Sequence, residues 1–552
     1  MKRIIGILII LVWYPSMAGT IFASGRQDSL RGGNGPGRDW WDVSYYQLQV
    51  RLDTSTRSVY GVCVVVAQVS QSGNRDSIQI DLQEPMVLDS AMVNGIRVQQ
   101  AREGNVYWLT GMEPVKPSQI SIHLYYHGSP RQAKHAPWDG GLIWTRDSTG
   151  KTWMAVACQG LGASAWWPCK DYQADEPDSM DIWLKSDGGA PIISNGRLST
   201  AAPVFQRALT PGQPDYTHWK VTNPINTYNA TFYSGDYIHW PDTLMGERGK
   251  LDISYYALRQ NEAIARKHFM VTKQMLHCFE YWMGPYPFYE DGYKLVEAPY
   301  LGMEHQSAVA YGNAYRMGYM GNDRSGTGVG LLFDFIIVHE SGHEWFGNNI
   351  TAADVADNWL HEGFTTYTEA LFAECAFGKE KAFQYTRGEW KNIRNDRNVI
   401  GSYGVQDDGS GDKYDKGSAV VHMVRAIIND DAKFRQLLRG LNKDFYHQQV
   451  TSAQVEQYIS RSTGYDFAPL FQQYLRTTMI PVVEYYIKDK KLSYRLKNAV
   501  PGLRLPVRVT AGKTSKDLII ATEWQRTPWK TGYDVSFSGE VLVDFLNQVQ
   551  VH

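Results

Sequence analysis

Apolar and polar residues alternate in short runs from about Trp40 to Tyr237. Tyr46 to Leu52 (YQLQVRL), Ser77 to Leu82 (SIQIDL) and Ile120 to Tyr126 (ISIHLYY) each repeat with period two, between turn residues. That pattern predicts antiparallel sheet, with no helix longer than two turns. From about Tyr256 to Thr478 the period becomes helical. The spacing predicts helices over Asn261 to Met283, Gly330 to Phe346, and from an Asp357 cap to Gly378. More follow over Lys416 to Ile428, Lys433 to Leu441, Ser452 to Ser462 and Phe467 to Leu475. Beyond Pro481 the period returns to two, with strands at Val483 to Ile487, Leu492 to Leu496, Val507 to Val509, Leu518 to Ile520 and Val541 to Val543. About 70 residues there suffice for a small β sandwich.

The first residues read as targeting. Lys2 and Arg3 precede an apolar run from Ile4 to Trp13, followed by small residues to Ser24. A run of ten is a signal-peptide core; a membrane span needs about 20 residues. The expected division is therefore 1–24 signal peptide, 25–248 β domain, 249–478 helical domain and 479–552 β sandwich. An exported protein, periplasmic or secreted, without stable membrane insertion after cleavage, is the expectation.

Composition narrows the function. With 55 basic against 57 acidic residues the net charge is -2, and no basic run suggests nucleic acid. Five cysteines lie far apart and none has CxxC spacing. They form no disulfide framework and no thiolate zinc site, although one bridge can form after export; spacing does not tell which pair. Asn229-Ala-Thr231 has the form of a glycosylation acceptor, a common chance triplet.

His339-Glu-Ser-Gly-His343 carries the chemistry. On a helix the four-residue step puts both imidazoles on one face, where both can reach one Zn²⁺, with Glu340 beside the metal's water. By chance the motif turns up in roughly one or two per cent of chains this long. Hydrolytic zinc sites take three protein ligands and leave one position open. Glu362, nineteen residues past His343 on the next helix, completes the set.

Several blocks in order resemble the aminopeptidase N family of zinc exopeptidases. HESGHEWFGN and NWLHEGFTTYTE resemble its two metal blocks. Trp282 to Pro287 (WMGPYP), Trp166 to Asp171 (WWPCKD), Leu301 to His305 (LGMEH) and Tyr414 to Gly417 (YDKG) resemble its other signatures. The resemblance implies a multidomain α+β chain: an N-terminal antiparallel β saddle, a thermolysin-like, mostly helical catalytic domain and a C-terminal β sandwich. It implies one zinc ion on His339, His343 and Glu362, with zinc-bound water as nucleophile and Glu340 as general base and acid. Tyr414 would donate to the oxyanion. Glu304, assisted by Gln159, would hold the free ammonium of a peptide, and Gly302 and Met303 would line its backbone.

Three departures stand out. Leu301 and Gly302 replace the usual Gly-Ala, and His305 the usual Asn, so an altered pocket for the first side chain is expected. His361 and Glu344 replace Asn and Gln beside the ligands; His305 and His361 read as satisfied neutral histidines more readily than as metal or proton partners. The sequence ends after the small β region, without the family's large helical C-terminal domain, so a more open cleft is expected. The alternatives are an endopeptidase or di- or tripeptide-selective hydrolase of the same fold, and a non-catalytic scaffold binding peptides or glycans.

Overall fold

The computed structural model describes residues 25–70, 75–112, 118–190, 192–199, 216–529 and 535–547. The expected signal peptide at 1–24 lies outside the described residues. A short helix, α1 (Arg26–Gly32), leads into an eight-stranded sheet. Its central strand, Trp41–Asp53, pairs antiparallel with Ser58–Val69 and parallel with Ser179–Ser186. Alternation explains the layering: along Gln119–Gly128, Ile120, Ile122, Leu124 and Tyr126 point inward. A four-stranded sheet packs behind, over a core that includes the fully buried Trp166 and Trp167. Its Thr152–Ala157 strand ends just before Gln159 and so delivers that residue to the domain boundary. Asn229 is buried, and its amide donates to Asn348 Oδ1 at 2.8 Å. The folded chain therefore does not present the glycosylation triplet.

The catalytic region opens with a mixed five-stranded sheet running from Tyr237–Gly246 to an edge strand at Gly302–Met303. Helices α2 (Glu262–His268), α3 (Val271–Met283), α4 (Phe335–Gly342), α5 (Trp359–Phe377), α6 (Lys379–Glu389), α7 (Asp415–Ile428), α8 (Asp431–Asp444), α9 (Ser452–Thr463) and α10 (Ala468–Arg476) follow. The expected helix over 261–283 is broken at Phe269 and Met270. The expected helix over 330–346 shrinks to α4, because Asp334 caps it by accepting from the Ile336 and Ile337 amides at 2.9 and 3.2 Å. Asp357 does not cap α5. It ends a preceding 3₁₀ turn, and its carboxylate accepts from the Ser452 amide at 3.0 Å instead. Helix α6 was invisible to periodicity because its sequence, KEKAFQYTRGE, is mostly polar.

Two glycines let α4, α5 and α7 approach closely enough to bring ligands together. A Cβ at Gly342 would stand 2.3 Å from Thr368 Oγ1, and one at Gly363 would stand 2.9 Å from the Gly417 backbone. Cys278 on α3 and Cys375 on α5 form a disulfide, while Cys63, Cys158 and Cys169 are free and buried.

Two small sheets close the chain and share the catalytic core through Val483, Leu492, Val507 and Val541. Val541 to Val543 is not the expected strand. The last strand is Asp544–Asn547, parallel to Val482–Lys488, while Val541 is buried in the core.

Candidate active site

Helix α4 presents His339, its C-cap residue His343 follows one turn later, and α5 brings Glu362 to them. Glu362 Oε2 lies 3.7 Å from His339 Nε2 and 3.4 Å from His343 Nε2. The hydrogen bonds behind the rings fix their protonation. His339 Nδ1 faces Glu369 Oε1 at 2.7 Å, and His343 Nδ1 faces the Phe346 carbonyl at 3.0 Å. Both acceptors require N–H on Nδ1, which turns both Nε2 lone pairs toward the Glu362 oxygen. That oxygen is buried and has no hydrogen-bond partner. Three lone-pair donors converging without a proton between them fit a cation. Their separations suit a tetrahedral zinc with bonds of about 2.0–2.2 Å.

The surrounding charge supports the same reading. Glu304, Glu340 and Glu362 are all buried. Among the described residues no Lys or Arg lies within ion-pair distance of any of them; Glu362 meets only the two imidazoles. Oxygens of Glu304 and Glu340 and a nitrogen of His343 lie within 4.8 Å of one another. Burial raises the Glu304 carboxyl and raises Glu340 to about 7. Two cations, a metal and an ammonium, would neutralise this pocket.

All nine residues singled out from the sequence border one cleft of about 460 Å³: Gln159, Gly302, Met303, Glu304, His339, Glu340, His343, Glu362 and Tyr414. Gln159 Nε2 donates to Glu362 Oε1 at 3.3 Å, and Tyr228 donates to Glu304 Oε1 at 3.1 Å. Gly302 must be small, since a Cβ there would stand 2.7 Å from Glu340 Oε1. Tyr414 sits at the start of α7 with its ring 6.1 Å from that of His339, and burial keeps its phenol protonated.

His305 and His361 are not ligands. The Ala352 amide donates to His361 Nε2 at 2.7 Å, and His305 Nδ1 meets Tyr233 Oη at 2.7 Å. Burial pushes each ring down to about 3, so both are neutral. Glu344 accepts from the Ser307 amide at 2.8 Å, and burial lifts its carboxyl to about 8.

Sequence reasoning passed over Glu369, Tyr228 and Trp138. Glu369 carried a signal: it follows Glu362 by seven residues, two turns along one face of α5. Tyr228 and Trp138 come from distant loops and had none.

Residues 268–474 match the peptidase family M1 domain. Aminopeptidase N of Lactobacillus helveticus is 26% identical over 490 residues, covering 81% of this chain and 52% of that protein. Aminopeptidase B of Mus musculus is 24% identical over 330 residues, covering 56% and 46%. An M1 zinc metallopeptidase from Deinococcus radiodurans, a mutant bound to a Tyr-Ser-Ala substrate, has a TM-score of 0.63 at 19% identity, covering 81% of this chain and 96% of that one. Residues 268–474 are thus a peptidase family M1 domain, and the chain around them is similar to aminopeptidase N-like proteins. Yeast LTA4 hydrolase shares this chain's fold, with a TM-score of 0.64 at 16% identity over 80% of this chain and 68% of its own. The chain spans about half the length of the curated relatives it matches. Family and donor set together imply one catalytic zinc ion.

Proposed function

We propose that the protein is an exported zinc aminopeptidase that removes N-terminal residues from peptides. The observation that carries the reading is the buried Glu304 carboxylate, which shares a 4.8 Å cluster with Glu340 and His343 and has no basic partner. A substrate ammonium supplies the missing charge. An N-acetylated peptide supplies none and would leave Glu304 buried and unpaired, which costs several kcal/mol.

Zinc on His339, His343 and Glu362 would supply a Lewis acid that lowers the pKa of water and polarises a carbonyl. The chain's own residues do the rest. Glu340, raised to about 7 by burial, is poised to take a proton from water at neutral pH and return it to the departing amine. Tyr414, kept protonated, donates to the oxygen that becomes negative. Gln159 steadies Glu362 and stands beside the ammonium site.

The Cys278–Cys375 disulfide supports export, because such bonds persist in oxidising compartments. The basic and apolar start of the sequence agrees with it. Among the described residues no helix is long and apolar enough to cross a membrane.

Aminoacyl-coumarins paired with their N-acetyl twins test the reading on zinc-loaded protein, with and without chelator. Cleavage of free-amine substrates alone, abolished by chelation and restored by zinc, is expected. Equal cleavage of the twins would point to an endopeptidase. Cleavage of free di- and tripeptides but not of coumarins would point to a short-peptide hydrolase. Silence throughout would leave a binding scaffold.

A further inference from the structure

One large aromatic residue at the cleft has no evident part in the fold. Trp138 borders the site yet is 66% exposed, so it contributes little burial energy. The turn carrying it is nevertheless held firmly. Asp139 accepts from the Lys134 and His135 amides at 2.8 and 2.9 Å, and the Gly140 amide donates to the Pro137 carbonyl at 3.1 Å. The Leu142 amide donates to the Arg131 carbonyl at 2.9 Å, closing its base.

The strand register says where the turn points. Gly141–Arg146 pairs antiparallel with Thr152–Ala157, with Gly141 opposite Ala157. Just beyond that pair the Pro137–Gly140 turn and the turn of residues 158–162, which carries Gln159, leave the same end of the two strands. Packing agrees: a Cβ on Gly140 would stand 2.5 Å from Leu161 Cβ. The indole is therefore mounted on a turn packed against the one that carries Gln159, and both residues border the cleft. In a peptide anchored there by its amine, the first Cα is about 1.5 Å from the nitrogen. Its side chain leaves the backbone within the cleft that Trp138 and the buried Met303 and Leu301 border.

We propose that Trp138 is a specificity-determining wall for the substrate's first side chain, selecting large apolar or aromatic N-terminal residues. This rests on the aminopeptidase reading. A Phe or Leu side chain would cover indole surface that is otherwise wet, whereas Ala is too short to reach it.

The test compares wild type, Trp138→Ala and Trp138→Phe, all zinc-loaded, on Phe-, Leu- and Ala-coumarins and their acetyl twins. Wild type is expected to favour Phe and Leu over Ala. Trp138→Ala should lower kcat/KM about tenfold for Phe and Leu, mainly through KM, and leave Ala within twofold, while Trp138→Phe keeps most of the preference. Calorimetry of Phe-Ser-Ala and Ala-Ser-Ala binding to Glu340→Gln, with and without Trp138→Ala, should show the same selective loss without turnover. A uniform loss, no loss, or a wild type that treats Phe and Ala alike overturns the proposal. If wild type cleaves the acetyl twins equally, the aminopeptidase reading itself has failed and the proposal falls with it.

Discussion

Glu369 stands directly behind His339: its Oε1 lies 2.7 Å from His339 Nδ1, and the Tyr385 hydroxyl donates to its other oxygen. This carboxylate fixes the imidazole tautomer and makes Nε2 a better donor. Removing such a partner weakens metal binding roughly 10- to 100-fold. Competition with a fluorescent zinc chelator should show that loss for Glu369→Ala, with Glu369→Gln, which keeps an acceptor, in between. Unchanged affinity in both variants would contradict the assignment.

Tyr414 offers a different signature because its proposed bond forms as charge develops on the substrate. Tyr414→Phe should lower kcat by roughly 10²–10³-fold with KM nearly unchanged and zinc content intact. Steady-state kinetics decides. A loss confined to KM would make Tyr414 a binding residue.

The turn that carries Gln159 is braced from the start of the described chain. Arg31 on α1 donates to the Gly160 carbonyl at 2.6 Å, and Gln406 donates to the same oxygen at 3.2 Å. Helix α1 also lies against the 404–405 loop so closely that a Cβ on Gly32 would stand 2.3 Å from the Val405 carbonyl carbon. Hydrogen bonds from charged donors contribute about 1.5–3 kcal/mol. Loosening the turn in Arg31→Ala should raise KM up to roughly tenfold, with kcat within twofold and partial rescue by Arg31→Lys. A fall in kcat alone would show that the brace serves something else.

Glu176 should make stability depend on pH. It is buried, accepting from Thr351 Oγ1 at 2.6 Å and Gln449 Nε2 at 2.7 Å, and burial raises its carboxyl to about 7. Between the unfolded value near 4.3 and about 7, the folded chain holds a proton that the unfolded chain has released. Stability must then fall as pH rises through that window, by about 4 kcal/mol at most. Glu176→Gln cannot titrate, so its melting temperature should drop less than wild type's between pH 5 and pH 8. Equal drops would refute the shift.

The sequence was most legible where one periodicity governs one element. The strands expected over 46–52 and 120–126, with α7, α9 and α10, lie within or close to the observed bounds because one period runs through each. Legibility failed where a polar partner from elsewhere decides. Asp357 is drawn from its expected cap to Ser452, almost a hundred residues away. Polar α6 carried no stripe to read. In the site, the common placement of His339, Glu340 and His343 could be read because one helix turn and one motif set their spacing. Tyr228 and Trp138 reach the cleft only through the tertiary fold, and no local pattern announces them.

The central claim is that a buried carboxylate at Glu304 reads a free amine beside the zinc. Glu304→Gln tests it most directly, on zinc-loaded protein with Leu-coumarin and its acetyl twin. The account predicts that kcat/KM for the free amine falls by roughly 10²-fold or more, as expected when a buried charge partner is removed. The large preference over the acetylated twin should shrink in step, with zinc content unchanged. If the variant keeps the wild-type preference, Glu304 does not hold the ammonium and the account is wrong.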